Sequence, residues 1–116
     1  TDPVELTVEA GQVTGVAGGD AARWLEALWA VEPQGSHMVS EFGIGTNPFA
    51  RYSGRLVEDE RVAGSVHVGF GPNIHLGGEI TEGIHRDASM RRPTVWLDGT
   101  EIVRNGKLVF ENLEVA

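Results

Sequence analysis

The sequence predicts an α+β domain, mostly antiparallel β-sheet with one packed helix. Three observations carry this. Short runs alternate apolar and polar residues between glycine-containing turn dipeptides. A single stretch, residues 21–31, has a convincing helical period. The chain has 116 residues, 41% of them hydrophobic, and no cysteine, so it is long enough to rest on a buried core and has no disulfides to rest on.

The elements follow in order. Residues 4–9 (VELTVE) alternate, Ala10-Gly11 permits a turn, and residues 12–16 (QVTGV) return, which predicts a hairpin. Gly18-Gly19 breaks the pattern and Asp20 is suited to cap a helix, its carboxylate accepting from free first-turn amides. In residues 21–31, Trp24, Leu25, Leu28 and Trp29 stand at helical spacing, with both tryptophans expected in the core; Glu32-Pro33 ends the helix. Residues 38–44 (MVSEFGI) read as a buried strand and residues 45–48 (GTNP) as a turn. Residues 56–64 are polar, enough for one helical turn, with Glu58-Asp59-Glu60 as a solvated acidic face. Residues 65–70 (SVHVGF) alternate as a strand, 71–83 form a glycine-rich loop, and 84–90 alternate weakly. Asp98-Gly99 joins residues 94–97 and 101–103 as a hairpin, with Trp96 in the core or at a subunit interface. Asn105-Gly106 leads to a last strand at 108–110. Without a repeat or linker, residues 1–116 read as a single domain. The start Thr1-Asp2-Pro3 enters a strand at once, as an excised piece of a longer chain would.

Charge excludes some functions. Nine Lys and Arg against 17 Asp and Glu leave a net charge of −8, which repels phosphate backbones and argues against nucleic acid. No apolar run approaches the ~20 residues of a membrane span. No charged-apolar-small leader opens the sequence, so a cytoplasmic location is expected. Glycines at 69, 71, 77 and 78 do not make a dinucleotide fingerprint, and no GxSxG, GxxxxGK or HExxH occurs.

Chemistry therefore falls to four histidines and their carboxylate neighbours. Without thiolates, a metal site must combine His with Asp or Glu, a donor set that suits zinc, manganese, cobalt or iron(II). In His85-Arg86-Asp87 an extended backbone turns His85 and Asp87 to one face and Arg86 to the other. Such a pair can chelate one ion, sit across two, or be an ordinary surface pair. His67 lies between Val66 and Val68, with small Ser65 and Gly69 on its own face. It reads either as a ligand facing a cavity or as a strand histidine satisfied by a carbonyl. Glu41 shares a strand face with Val39 and Gly43; buried there, its carboxylate needs a partner such as a cation, while at an edge it reaches water. His75, in the glycine-rich loop, is a candidate for substrate contact or an exposed loop residue, and His37 has no assigned role.

Taken as a series, residues 40–51 (SEFGIGTNPFAR), 56–60 (LVEDE), 64–71 (GSVHVGFG), 84–87 (IHRD) and 93–99 (PTVWLDG) resemble the C-terminal part of the thermophilic-type metallo-aminopeptidases, the aminopeptidase T and aminopeptidase S family. The resemblance spans roughly residues 38–109. It implies a dimeric exopeptidase that removes N-terminal residues from peptides with a pair of divalent ions (zinc, cobalt or manganese). Glu41, His67, His85 and Asp87 would be the metal ligands. Three features depart from the peptidase pattern: no matching glutamate precedes Glu41, the family's tyrosine beyond the ligand histidine is absent from residues 72–75, and only 18 residues separate His67 from His85. A sister group of similar fold, the 2,5-dihydroxypyridine dioxygenases, holds one iron(II) with two His and one Asp; His67, His85 and Asp87 would supply that set. A third reading is a non-catalytic metal-binding or dimerisation domain. The expectations are thus a divalent metal, a peptide or small-molecule substrate, and a homodimer.

Overall fold

The computed structural model describes residues 2–109. The chain forms two compact units. Of the described residues, one unit holds those as far as Phe42 together with Val68–Asp87; the other holds Gly43–His67 and those from Ala88 to Val109.

In the first unit, strands β1 (Glu5–Glu9) and β2 (Gln12–Ala17) pair antiparallel, Glu5 opposite Ala17 and Glu9 opposite Gln12. Helix α1 (Asp20–Val31) follows. Asp20 does not cap it: Gly19 takes the cap position without a side-chain bond, and Asp20, the first helical residue, pairs with Arg23 one turn on. An acidic group in the first turn still complements the helix dipole. Only one stripe of α1 is covered. Trp29 is buried with Val13 and Phe70, its ring 5.4 Å from that of Phe70, and Leu6, Val16, Leu25, Val39 and Val68 pack around them. Trp24, expected in the core, is 64% exposed. The reason is helical arithmetic: five residues from Trp29 is a rotation of about 140° from the covered stripe.

A 3-10 turn (Gln34–His37) leads into β3 (Val39–Ile44), tied to the hairpin by the Val39 amide donating to the Gly11 carbonyl at 2.7 Å. Strands β3, β4 (Val66–Phe70) and β5 (Arg86–Met90) form a sheet in the order β3-β4-β5. The Gly71 amide donates to the Met38 carbonyl at one end, and Gly45 exchanges bonds with Gly64 and Ser65 at the other, so β3 and β4 run antiparallel. The loop expected at 71–83 contains a short 3-10 turn (Ile74–Leu76). Asn73 organises it. Its side chain donates to the Ser40 carbonyl and accepts from the Ile80 amide, while its own carbonyl receives the Leu76 and Gly78 amides.

In the second unit, helix α2 (Leu56–Asp59) is the single turn expected. Its acidic run is not uniformly solvated: Asp59 is buried, accepting the Ser53 amide at 2.7 Å and pairing with Arg91 at 3.6 Å. Val66 and Val103 are fully buried here, whereas Trp96 is exposed. Strands β6 (Val95–Leu97), β7 (Thr100–Arg104) and β8 (Lys107–Leu108) form an antiparallel meander. Its two turns, Asp98-Gly99 (φ 49° and 80°) and Asn105-Gly106 (φ 47° and 79°), have the left-handed pairs that two-residue hairpins require. Phe110, at the end of the expected last strand, lies outside the described residues. Among the described residues no helix is long and apolar enough to cross a membrane.

Candidate metal centre

The order β3-β4-β5 sets the geometry. Glu41 projects from β3 and Asp87 from β5, and between them lies Gly69 of β4. A Cβ on residue 69 would stand 2.8 Å from Asp87 Oδ1, 2.9 Å from Glu41 Cβ and 3.0 Å from Glu41 Oε2. The missing side chain is what lets two carboxylates approach over the middle strand. His85, just before β5, joins them: its Nε2 is 3.0 Å from Asp87 Oδ1 and 3.6 Å from Glu41 Oε2. One donor atom from each of the three lies within 4.8 Å of the others. Their side chains are 21–26% exposed, sheltered yet open to small molecules.

The tautomer of His85 follows from its other nitrogen. Nδ1 is 2.8 Å from the Pro72 carbonyl oxygen. A carbonyl only accepts, so Nδ1 carries the proton and Nε2 is the atom turned toward the carboxylates. A bare Nε2 lone pair facing two anionic oxygens is repulsive. A cation on that side, either a proton or a metal ion, converts repulsion into attraction. Anchoring the distal nitrogen on a backbone carbonyl is the arrangement that orients metal-ligating histidines. One neutral imidazole and two carboxylates also balance the charge of a divalent ion, and the N,O,O donors suit the borderline metals. These residues fit a divalent metal.

The other sequence candidates fall as follows. His75, on the 3-10 turn of the 71–83 loop, is exposed and meets the His85 ring edge-on, the centroids 5.3 Å apart at 82°. The loop thus touches His85 twice, through Pro72 and through His75. His67 belongs to the second unit. Its ring lies across Gly43, where a Cβ would come within 2.0 Å of Cε1, and its Nε2 is 4.0 Å from Glu60. The structure therefore gathers Glu41, His85 and Asp87 into one group and sets His67 beside Glu60. His37 faces Trp29 at 6.2 Å. Sequence reasoning missed Gly69 and Pro72. The alternation of β4 did mark Gly69 as a small residue, but only the strand order reveals what stands over it.

A family model described as NicX, 2,5-dihydroxypyridine 5,6-dioxygenase, matches residues 1–110. The curated 2,5-dihydroxypyridine 5,6-dioxygenase of Pseudomonas putida strain KT2440 is 26% identical over 117 aligned positions, which cover 91% of this chain and 33% of that protein. A solved structure of the 2,5-dihydroxypyridine dioxygenase from the same strain aligns with a TM-score of 0.74 at 25% identity, over 96% of this chain and 35% of that one. The chain thus spans about a third of the length of the relatives it matches. These matches overturn the aminopeptidase expectation and the hydrolytic, metalloprotease chemistry that went with it. The family match covers nearly the whole chain and is to the dioxygenase, the alternative that the sequence had left open. The tyrosine absent from residues 72–75 and the short interval between His67 and His85 are where the sequence departs from the peptidase pattern.

Proposed function

Because the chain belongs to the 2,5-dihydroxypyridine 5,6-dioxygenase family, we propose that it forms the metal-binding portion of a ring-cleaving dioxygenase. Its substrate would be 2,5-dihydroxypyridine or a close hydroxylated heteroaromatic, and its metal iron(II). The observation that carries the reading is the orientation of His85: Nδ1 is committed to Pro72, and Nε2 is turned onto Glu41 and Asp87. When bound, iron(II) would supply the centre at which dioxygen and the aromatic ring are brought together. The chain's own residues do the rest. Glu41 and Asp87 neutralise the ion, His85 completes the donor set in a fixed tautomer, and Gly69 keeps the space clear. His75, exposed beside His85, is proposed to contact a hydroxyl of the substrate. Non-haem iron sites commonly use two histidines and one carboxylate. His67 would be the second histidine, and it remains in the proposal as a ligand with its own test below. A cytoplasmic location is proposed as well, since a reducing compartment keeps iron ferrous.

Oxygen uptake by iron(II)-loaded protein in the presence of 2,5-dihydroxypyridine tests this reading. Uptake that requires the pyridine and is abolished in His85→Ala is expected. No uptake, or uptake indifferent to that substitution, contradicts it.

A further inference from the structure

The residue between the two ligands points the other way and is firmly held. Arg86 makes a forked pair with Glu32 at the end of α1, Nη1 to Oε2 at 2.7 Å and Nη2 to Oε1 at 2.6 Å. Glu32 is the better covered of the two, 8% exposed against 30%. A two-bond guanidinium–carboxylate fork fixes direction as well as distance. Ser36 is fully buried, and its Oγ accepts the Ile84 amide at 2.9 Å. Gly83, with φ of 108°, brings the chain close enough for this: a Cβ there would stand 2.5 Å from Ser36 Oγ. The backbone is therefore tied on both sides of His85, at residue 86 through Glu32 and at residue 84 through Ser36. A carboxylate at a helix C-terminus is poorly placed relative to the helix dipole, and the Arg86 cation offsets that. Pairing 54 positions apart in sequence, with two strands and a helical turn between, needs a reason beyond local charge.

We propose that Glu32 is a positioning residue of the metal centre: by holding Arg86, the residue between them, it fixes the backbone at that point and sets His85 and Asp87 at the spacing one divalent ion requires. This rests on the metal-binding reading above and adds a residue that touches neither metal nor substrate.

The test is a cobalt(II) titration of the full chain under anaerobic conditions, followed by the visible ligand-field bands, with far-UV circular dichroism as the check on folding. Wild type should bind one cobalt(II) and His85→Ala none. Glu32→Gln and Arg86→Lys, which keep size but break the fork, should bind about 10- to 100-fold more weakly with altered bands, as loss of outer-shell support does. Glu101→Gln, which breaks the Glu101–Arg104 pair in the other unit, should titrate like wild type. If wild type binds, His85→Ala does not, and folded Glu32→Gln and Arg86→Lys both titrate like wild type, the positioning role is overturned and the centre stands. If wild type takes up no cobalt, the centre falls and the positioning role with it.

Discussion

At the scale of residues, the centre depends on what is absent at position 69 as much as on the three donors. Gly69→Val should push the carboxylates of Glu41 and Asp87 apart, because its branched side chain would occupy space within 3.0 Å of both. A loss of metal affinity of at least about tenfold is expected by calorimetric titration, with little change in secondary structure. His67→Ala is the sharper discriminator of ligand number. If His67 is the second histidine of an iron site, its removal should abolish iron(II) binding as His85→Ala does. If it serves only its neighbourhood of Gly43 and Glu60, metal affinity should stay within a few-fold of wild type. The His85–Asp87 pair was legible in the sequence, because extended backbone puts positions i and i+2 on one face. Glu41 was half legible, as a costly charge in an apolar strand. Gly69, Pro72 and Glu32 were not. Each acts on a residue brought to it by strand order or a long connection, and no local pattern encodes that.

At the scale of elements, α1 contributes twice: Trp29 anchors the core of the first unit, and Glu32 closes the helix on Arg86. Trp29→Ala should cost about 3–5 kcal/mol by chemical denaturation, the usual penalty for emptying a buried aromatic site. Trp24→Ala, on the exposed face, should cost far less. The pair at the helix end makes a pH prediction. The guanidinium of Arg86 holds the Glu32 carboxyl below its ordinary value of 4.5. A depressed carboxyl adds stability that is fully present above the ordinary value and lost as pH falls through the depressed one. The melting temperature of wild type should therefore exceed that of Glu32→Gln at neutral pH, and the difference should close below pH 4.5. A constant difference across that range would contradict the pairing. The hairpins and α1 were legible because turn dipeptides and helical spacing are local signals. The covered face of α1 was not resolved between its two tryptophans, since periodicity gives a stripe and only packing says which edge of it is buried.

At the scale of the whole molecule, the fold class was legible, while the first family reading, an aminopeptidase, was wrong and its alternative, the dioxygenase, was the one the family match supports. The motif series reads first as an aminopeptidase resemblance with the dioxygenase as the alternative, and the family match along residues 1–110 carried the distinction. Net charge sharpens the consequence. With 17 acidic against nine basic side chains, the chain attracts divalent cations in general, so the centre must be told apart from diffuse binding. A saturating specific ion stabilises the folded state by mass action, about 2.7 kcal/mol at a hundredfold excess over Kd. Chelation with EDTA should accordingly lower the melting temperature of wild type and leave His85→Ala unchanged.

The most direct measurement is anaerobic equilibrium titration with iron(II), read as bound iron per chain by elemental analysis after removal of free metal. One tightly held iron per chain, lost in His85→Ala and in Asp87→Asn, is the predicted result. A chain that holds no iron, or whose iron survives both substitutions, would contradict a centre built on His85, Asp87 and Glu41.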